Sequence, residues 1–159
     1  GNPSKGFKQF LRTLTGGRIT IGALALGTAQ GAYERALKYS CEREAFGKQI
    51  NKFQAISFKL ADMGTSIEAS KHLVYNAAYL KDEGEDIIKE AAMAKLFSSE
   101  MCMRVTTEAI QVLGGYGYIK EYDVERFFRD SKILEIGEGT SEVQRIIISR
   151  EILKNISSV

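Results

Sequence analysis

Glu138 stands between two glycines, directly before a segment with the pattern of a helix start. The flanking Gly137 and Gly139 remove side-chain bulk, so a small molecule could approach the carboxylate closely. A carboxylate in such a place can serve as a general base that takes a proton from a bound substrate. The alternative from the pattern alone is a solvated loop acid beside a helix cap, and the residues themselves leave both open.

Two other loops carry unusual residues. The stretch Gln111-Val-Leu-Gly-Gly-Tyr-Gly-Tyr118 has the glycine content of a phosphate-binding loop, but it follows a helix and lacks the Lys-Ser/Thr pair of such loops. A glycine-rich helix stop is the alternative. In Arg43-Glu-Ala-Phe-Gly-Lys48, an arginine beside a phenylalanine could bind a pyrophosphate and stack on a base. As an isolated pattern this is unspecific.

Other chemistries have no support in the pattern. The single histidine, His72, has no partner at metal-ligand spacing and is expected on the surface. No serine lies in a nucleophile motif, which argues against a hydrolase. The cysteines, Cys41 and Cys102, are far apart, so we expect no metal site and a reducing compartment.

Composition narrows the class of protein further. The 159 residues are 44% hydrophobic and 26% charged, which is typical of one globular domain. With 22 basic and 20 acidic residues, the chain lacks the basic excess of a nucleic-acid binder. Its longest apolar stretch is interrupted by glycine and polar residues, so we expect no membrane insertion.

The hydrophobic spacing predicts an all-α protein. In the second predicted helix, Ile56, Leu60, Met63, Ile67 and Ser70 follow one another at alternating gaps of four and three, as in a bundle seam. We therefore predict an up-and-down four-helix bundle of three long helices and a shorter closing one. The predicted helices cover about residues 17–43, 53–83, 86–113, 123–134 and 141–154.

Local signals refine these bounds. Gly84 is expected to cap the second helix at its C-terminus. The spacing of Ser141 and Gln144 is that of a capping box, which makes Ser141 the predicted N-cap of the last helix. Residues 6–10 are the one candidate for a short strand, and residues 44–52 are expected to form a loop.

Taken together and in order, the motifs resemble the C-terminal domain of the acyl-CoA dehydrogenase family of FAD-dependent enzymes. The resemblance runs over essentially the whole chain, and five motifs carry it. They are Gly17-Arg-Ile, Arg43-Glu-Ala-Phe-Gly-Lys-Gln-Ile with Gln54-Ala-Ile, Gln111-Val-Leu-Gly-Gly-Tyr-Gly-Tyr, Arg129-Asp-Ser-Lys-Ile, and Glu138-Gly-Thr-Ser-Glu-Val-Gln-Arg.

The resemblance implies that residues 1–159 are one helical domain of a longer flavoenzyme with further helical and β domains, and that the isolated domain is inactive. It implies α,β-dehydrogenation of a short-chain acyl-CoA to the trans-2-enoyl-CoA, as in fatty acid β-oxidation. Glu138 would remove the pro-R α-proton while the β-hydrogen leaves as hydride to FAD. Some relatives carry the base directly before the arginine of the first helix, where this chain has Gly17.

The resemblance also implies roles for other residues. Arg18 and Gly139 would line the acyl-CoA site. The others would contact FAD, with Arg43 reaching the diphosphate across a dimer interface. These FAD contacts are Arg43, Phe46, Gln54, Gln111, Val112, Leu113, Gly114, Gly115, Thr140, Ser141 and Glu142.

Two positions depart from the family pattern. Thr15 replaces an aspartate that helps to hold CoA in many relatives, and Gly137 replaces a residue that is often aromatic. The implied partners are an electron-transfer flavoprotein and further copies of the chain in a homodimer or homotetramer. The implied location is the bacterial cytoplasm or the mitochondrial matrix. An acyl-CoA oxidase on the same scaffold and a non-catalytic helical oligomerisation module remain alternatives.

Overall fold

The computed structural model describes residues 5–154. Helices dominate it, and one antiparallel hairpin of two short strands follows the first helix. The elements are α1 (Gly6–Glu42), β1 (Glu44–Ala45), β2 (Lys48–Gln49), α2 (Gln54–Asp82), α3 (Ile88–Leu113), α4 (Gly115–Tyr118), α5 (Val124–Ser131) and α6 (Ser141–Lys154). The predicted all-α bundle is confirmed.

Helix α3 is the centre of the bundle and packs against α1, α2, α5 and α6. Small residues let α1 lie close to it. Ala25, Ala29, Ala32 and Ala36 of α1 are fully buried at gaps of four and three, which places them on one side of the helix. Nearer the start of α1, a Cβ added to Gly22 would lie 3.5 Å from the backbone of α3. This close contact fixes the position of the α1 segment that carries Gly17 and Arg18.

The start of α1 differs from the prediction. The helix begins at Gly6 and has 37 residues, which corresponds to about 55 Å. The predicted strand over residues 6–10 is therefore wrong, because this segment is the first part of α1. Phe7, Phe10 and Leu11 have the three- and four-residue spacing of a helix face. The adjacent Gly16 and Gly17 lower helix propensity without interrupting the backbone hydrogen bonds.

The predicted loop over residues 44–52 contains the β1–β2 hairpin. Its turn residues, Phe46 and Gly47, have φ of 52° and 79°, the left-handed pair that a tight hairpin turn requires. Only two residues of each strand pair, which is too few for the alternating pattern that would have predicted them.

Helix ends are set by local hydrogen bonds. Gly84 caps α2 as predicted, with φ of 81°. The predicted capping box at Ser141 is wrong, since Thr140 is the N-cap of α6. The Thr140 hydroxyl accepts a hydrogen bond from the Val143 backbone N–H at 3.4 Å, while the Gln144 side chain points back to the preceding loop.

Two absences are found among the described residues. No helix between residues 5 and 154 is long and apolar enough to span a bilayer, and no group of side chains there could hold a metal ion. The side chain of His72 is 79% exposed, as predicted for a surface histidine. Cys102 is fully buried, and burial raises the pKa of its thiol to about 12, so this cysteine is chemically inert.

Candidate functional site

The loop between α5 and α6 brings Glu138 against α1. A Cβ added to Gly17 would lie 2.7 Å from Oε2 of Glu138 and 2.9 Å from its Cδ. The absence of a side chain at position 17 therefore leaves the space that the carboxylate occupies. Glu138 has φ of 56°, a conformation that is unfavourable for a residue with a side chain. Strained backbone at a candidate base is a common mark of a functional site.

Arg18 follows Gly17 and is only 7% exposed. Burial lowers the pKa of its guanidinium, and the nearby negative charge of Glu138 opposes that shift. The buried guanidinium and the partly buried carboxylate are thus close enough for their charges to interact. The structure thus places Arg18, for which the resemblance implies a place in the acyl-CoA site, near Glu138, the proposed base.

Unsatisfied polar atoms are concentrated here. Among the described residues, five buried side-chain polar atoms have no hydrogen-bond partner, and four of them lie in this region. Because a buried polar atom without a partner costs free energy, such a concentration requires an explanation. The four atoms are Arg18 Nε, Glu138 Oε2, Ser141 Oγ and Gln144 Oε1.

The first residues of α6 complete one side of this region. Ser141 is buried, whereas Glu142 is exposed. A hydrogen bond from its own backbone N–H, and then one with the Thr140 hydroxyl, lowers the pKa of the Glu142 carboxyl. Together with Gly139, these residues form a continuous edge beside Glu138. We call Arg18, Lys95, residues 138–142 and Gln144 the Glu138 cluster.

Two members of the Glu138 cluster were not predicted from the sequence to belong to a site. Lys95 and Gln144 are both fully buried, and both donate hydrogen bonds to backbone carbonyls of the Glu138 loop. The sequence does indicate that Lys95 is buried. It follows Ala91 by four residues and precedes Cys102 by seven, so a charged residue lies on the apolar face of the helix.

The other predicted site residues gather at the opposite end of the bundle. Arg43 at the end of α1 and residues 112–115 at the end of α3 line one pocket of about 430 Å³. The Arg43 guanidinium lies 5.9 Å from the centre of the Tyr116 ring. We call this region the Arg43 cluster. It comprises Tyr39, Arg43, Phe46, Gln54 and residues 111–116.

Phe46 is the most exposed large apolar residue in the described part of the chain. It is 96% exposed at the hairpin tip, and its ring meets that of Phe53 edge-on with centres 6.3 Å apart. Gln54 follows Phe53 at the start of α2, and both Gln54 and Gln111 are exposed. An exposed aromatic ring on a residue with positive φ is costly for the domain alone.

The two clusters do not meet within one chain. Arg43 directly follows α1 and lies 25 residues after Arg18, so the continuous helix separates the two by about 37 Å at 1.5 Å per residue. No small ligand can touch both clusters of the same chain. The predicted site residues therefore form two groups, each internally close.

Known proteins match nearly the whole chain. The family model described as the C-terminal domain of acyl-CoA dehydrogenase matches residues 4–153. A probable acyl-CoA dehydrogenase of Bacillus subtilis, YngJ, is 58% identical over 97% of this chain. The CarC subunit of the caffeyl-CoA reductase-Etf complex of Acetobacterium woodii is 51% identical over the same share.

The fold of the chain also agrees closely with that of a solved structure. The three-dimensional structure of butyryl-CoA dehydrogenase from Megasphaera elsdenii superposes with a TM-score of 0.95 at 52% identity over 96% of this chain. The chain spans 40% of that protein's length, 40% of YngJ and 41% of CarC.

Proposed function

The chain belongs to the acyl-CoA dehydrogenase family, and we propose that it is the C-terminal domain of a longer flavoenzyme that dehydrogenates a short-chain acyl-CoA to the trans-2-enoyl-CoA. The unsatisfied polar atoms around Glu138 carry this proposal. A thioester and the remaining domains would bring hydrogen-bond partners to these atoms. The similarity to butyryl-CoA dehydrogenase supports the short acyl chain.

In this proposal Glu138 is the base that removes the α-proton of the substrate. The α-C–H of a thioester is only weakly acidic, so a carboxylate must be held close to it and the developing charge must be stabilised. The free Oε2 of Glu138 can accept the proton, because no hydrogen bond occupies it. The buried Arg18 guanidinium supplies positive charge beside the reacting atoms.

FAD, when bound, would accept the hydrogen that leaves the β-carbon as hydride. The residues of the Arg43 cluster fit this cofactor. An arginine guanidinium matches a diphosphate, the exposed ring of Phe46 offers a flat apolar face for a base, and Gly114 and Gly115 border the pocket without side chains. Thr140, Ser141 and Glu142 belong to the Glu138 cluster. They would contact the FAD that the Arg43 cluster of the neighbouring chain also holds.

The 37 Å separation supports an assembly in which two chains share two sites. Each chain would contribute its Glu138 cluster to one site and its Arg43 cluster to the neighbouring chain's site. A homodimer is the smallest assembly that satisfies this arrangement, and a homotetramer contains it twice. The electrons would pass to an electron-transfer flavoprotein, as the name of the CarC complex suggests for that relative.

Titration of the complete protein with butyryl-CoA tests the proposed function. We expect the protein to bind FAD and the visible flavin absorption to bleach under anaerobic conditions, while the 159-residue chain alone does not bleach. Bound flavin that stays oxidised with butyryl-CoA and other short acyl-CoA compounds would contradict it. Absence of flavin from the complete protein would favour an oligomerisation module. Rapid reoxidation by oxygen with peroxide release would favour the oxidase.

The sharing of sites predicts complementation between two inactive variants. Glu138→Gln removes the base, and Arg43→Ala removes a proposed FAD contact. A dimer that contains one chain of each type has one site with both defects and one site with neither. We therefore expect mixed dimers, purified with two affinity tags, to recover about half of the normal turnover.

The control for complementation is a mixed dimer of Glu138→Gln with a double variant that carries both changes. It has no intact site and should remain inactive. If the first mixed dimer were as inactive as this control, both clusters would serve the same chain's site, and the shared arrangement would be wrong.

A further inference from the structure

Lys95 is a charged residue in the interior of the bundle. It lies on α3 beside Ala91 and Ala94, and its side chain is fully buried. Burial lowers the pKa of its ammonium group, the carboxylate of Glu135 opposes that shift, and the positive charge of Arg18 adds to it. A buried ammonium next to a guanidinium is costly unless its N–H groups are well used.

The hydrogen bonds of Lys95 lead to the loop that carries Glu138. Its Nζ donates to the backbone carbonyl of Gly139 at 2.7 Å and to that of Glu135 at 3.1 Å. From the other side, Nε2 of Gln144 donates to the same Gly139 carbonyl at 2.9 Å and to the Glu138 carbonyl at 3.2 Å. Two buried side chains from two helices thus bind the backbone on both sides of Glu138.

This loop needs such support because its conformation is unfavourable. Glu138 and Gly139 have φ of 56° and 96°, and the glutamate pays a steric cost in the left-handed region. A loop in this state relaxes to negative φ when nothing holds it, and the relaxation would swing the Glu138 side chain away from Gly17.

We propose that Lys95 and Gln144 are positioning residues for the base, which they hold through the backbone carbonyls of its loop and not through its carboxylate. The distinction matters for the chemistry. An ion pair with the carboxylate itself would fix the base but weaken it, whereas Oε2 of Glu138 is left without a hydrogen bond. This inference rests on the proposed role of Glu138.

Exchange of the substrate α-hydrogen with D2O tests the inference, because it reports proton removal apart from hydride transfer. In the complete protein, Lys95→Met keeps the length and burial of the side chain and removes its donors. We expect α-exchange and kcat to fall about 10- to 100-fold while the KM for butyryl-CoA changes less than about threefold. Lys89→Met, in the first turn of the same helix, is the matched control and should behave as the parent, because the Lys89 side chain is partly exposed and pairs with Glu90 rather than with the Glu138 loop.

Backbone amide exchange measured by mass spectrometry supplies a readout other than activity. Lys95→Met should raise the exchange of residues 136–141 at least about tenfold and leave α1 and α2 within about twofold of the parent. Gln144→Leu, which removes the second pair of donors and keeps the buried ammonium, should shift both readouts in the same direction. It serves as the test if Lys95→Met does not fold.

The outcomes separate the inference from the proposed function. If Glu138→Gln abolishes α-exchange while Lys95→Met and Gln144→Leu leave it within about twofold of the parent, the positioning role is wrong and the base assignment stands. If Glu138→Gln keeps α-exchange, the proposed function itself fails.

Discussion

Glu138→Gln in the complete protein is expected to slow flavin reduction by butyryl-CoA by about 10³- to 10⁴-fold, near the upper end of what a positioned general base contributes. Glutamine has the shape of glutamate but cannot take up the α-proton. The sequence offers no substitute at the other position where relatives carry the base, since that position is Gly17. Stopped-flow absorbance of the flavin measures the rate.

The same variant should keep its FAD and its affinity for acyl-CoA. Glutamine fits the same space, but it removes the negative charge that compensates the buried Arg18 guanidinium, so we expect thermal stability to be unchanged or slightly lower. Glu85→Gln, which makes the same change at an exposed position between α2 and α3, is the matched control. Near-normal reduction by Glu138→Gln would exclude this residue as the base.

Helix periodicity predicted the fold well because helical contacts are local in sequence. The predicted bounds of α6 agree with those observed, and α2 differs by one residue at each end. The predicted start of α1 at about residue 17 was late, since the helix begins at Gly6 and runs through the adjacent Gly16 and Gly17. Glycine lowers helix propensity, but packing of α1 on α3 overrides that preference.

The candidate site was predictable only in part. Glu138 was identified by its neighbours in sequence, and the flanking Gly139 has φ of 96°, a conformation that favours glycine. The residues that hold the loop could not be found in the same way. Lys95 lies 44 residues before Gly139, to which it donates a hydrogen bond. Hydrophobic spacing along a helix predicts that a residue is buried, but it does not predict which distant residue the side chain contacts.

The division into two clusters has the same physical origin. Most of the predicted motifs lie at helix ends or in loops, and their spacing in sequence does not reveal which ends meet. Once α1 is continuous over 37 residues, Arg18 and Arg43 must be far apart. The family resemblance anticipated this by placing Arg43 at a neighbouring chain's cofactor, and the length of α1 gives the physical reason.

Gly17→Ala is expected to separate activity from stability. The new methyl group would lie within 2.7 Å of Oε2 of Glu138, so the carboxylate must move. Because that atom is the far end of a flexible side chain, it can shift at little cost to the fold, and alanine favours the helix by up to about 1 kcal/mol. Proton removal, in contrast, depends on the position of the carboxylate relative to the substrate α-carbon. Displacing a reacting group by about 1 Å costs on the order of 10²-fold in rate.

Gly27→Ala is the matched control for this prediction, because it makes the same change on the same helix. Nothing lies within 4 Å of a Cβ added at position 27, so this variant should gain about 1 kcal/mol of stability and keep full activity. The pair is compared by urea unfolding and by the rate of flavin reduction. Equal rates in the two variants would mean that the carboxylate does not depend on the space at Gly17. A loss confined to Gly17→Ala, with stability retained, would show that a missing side chain on one helix sets the position of the base on a loop 121 residues later in the sequence.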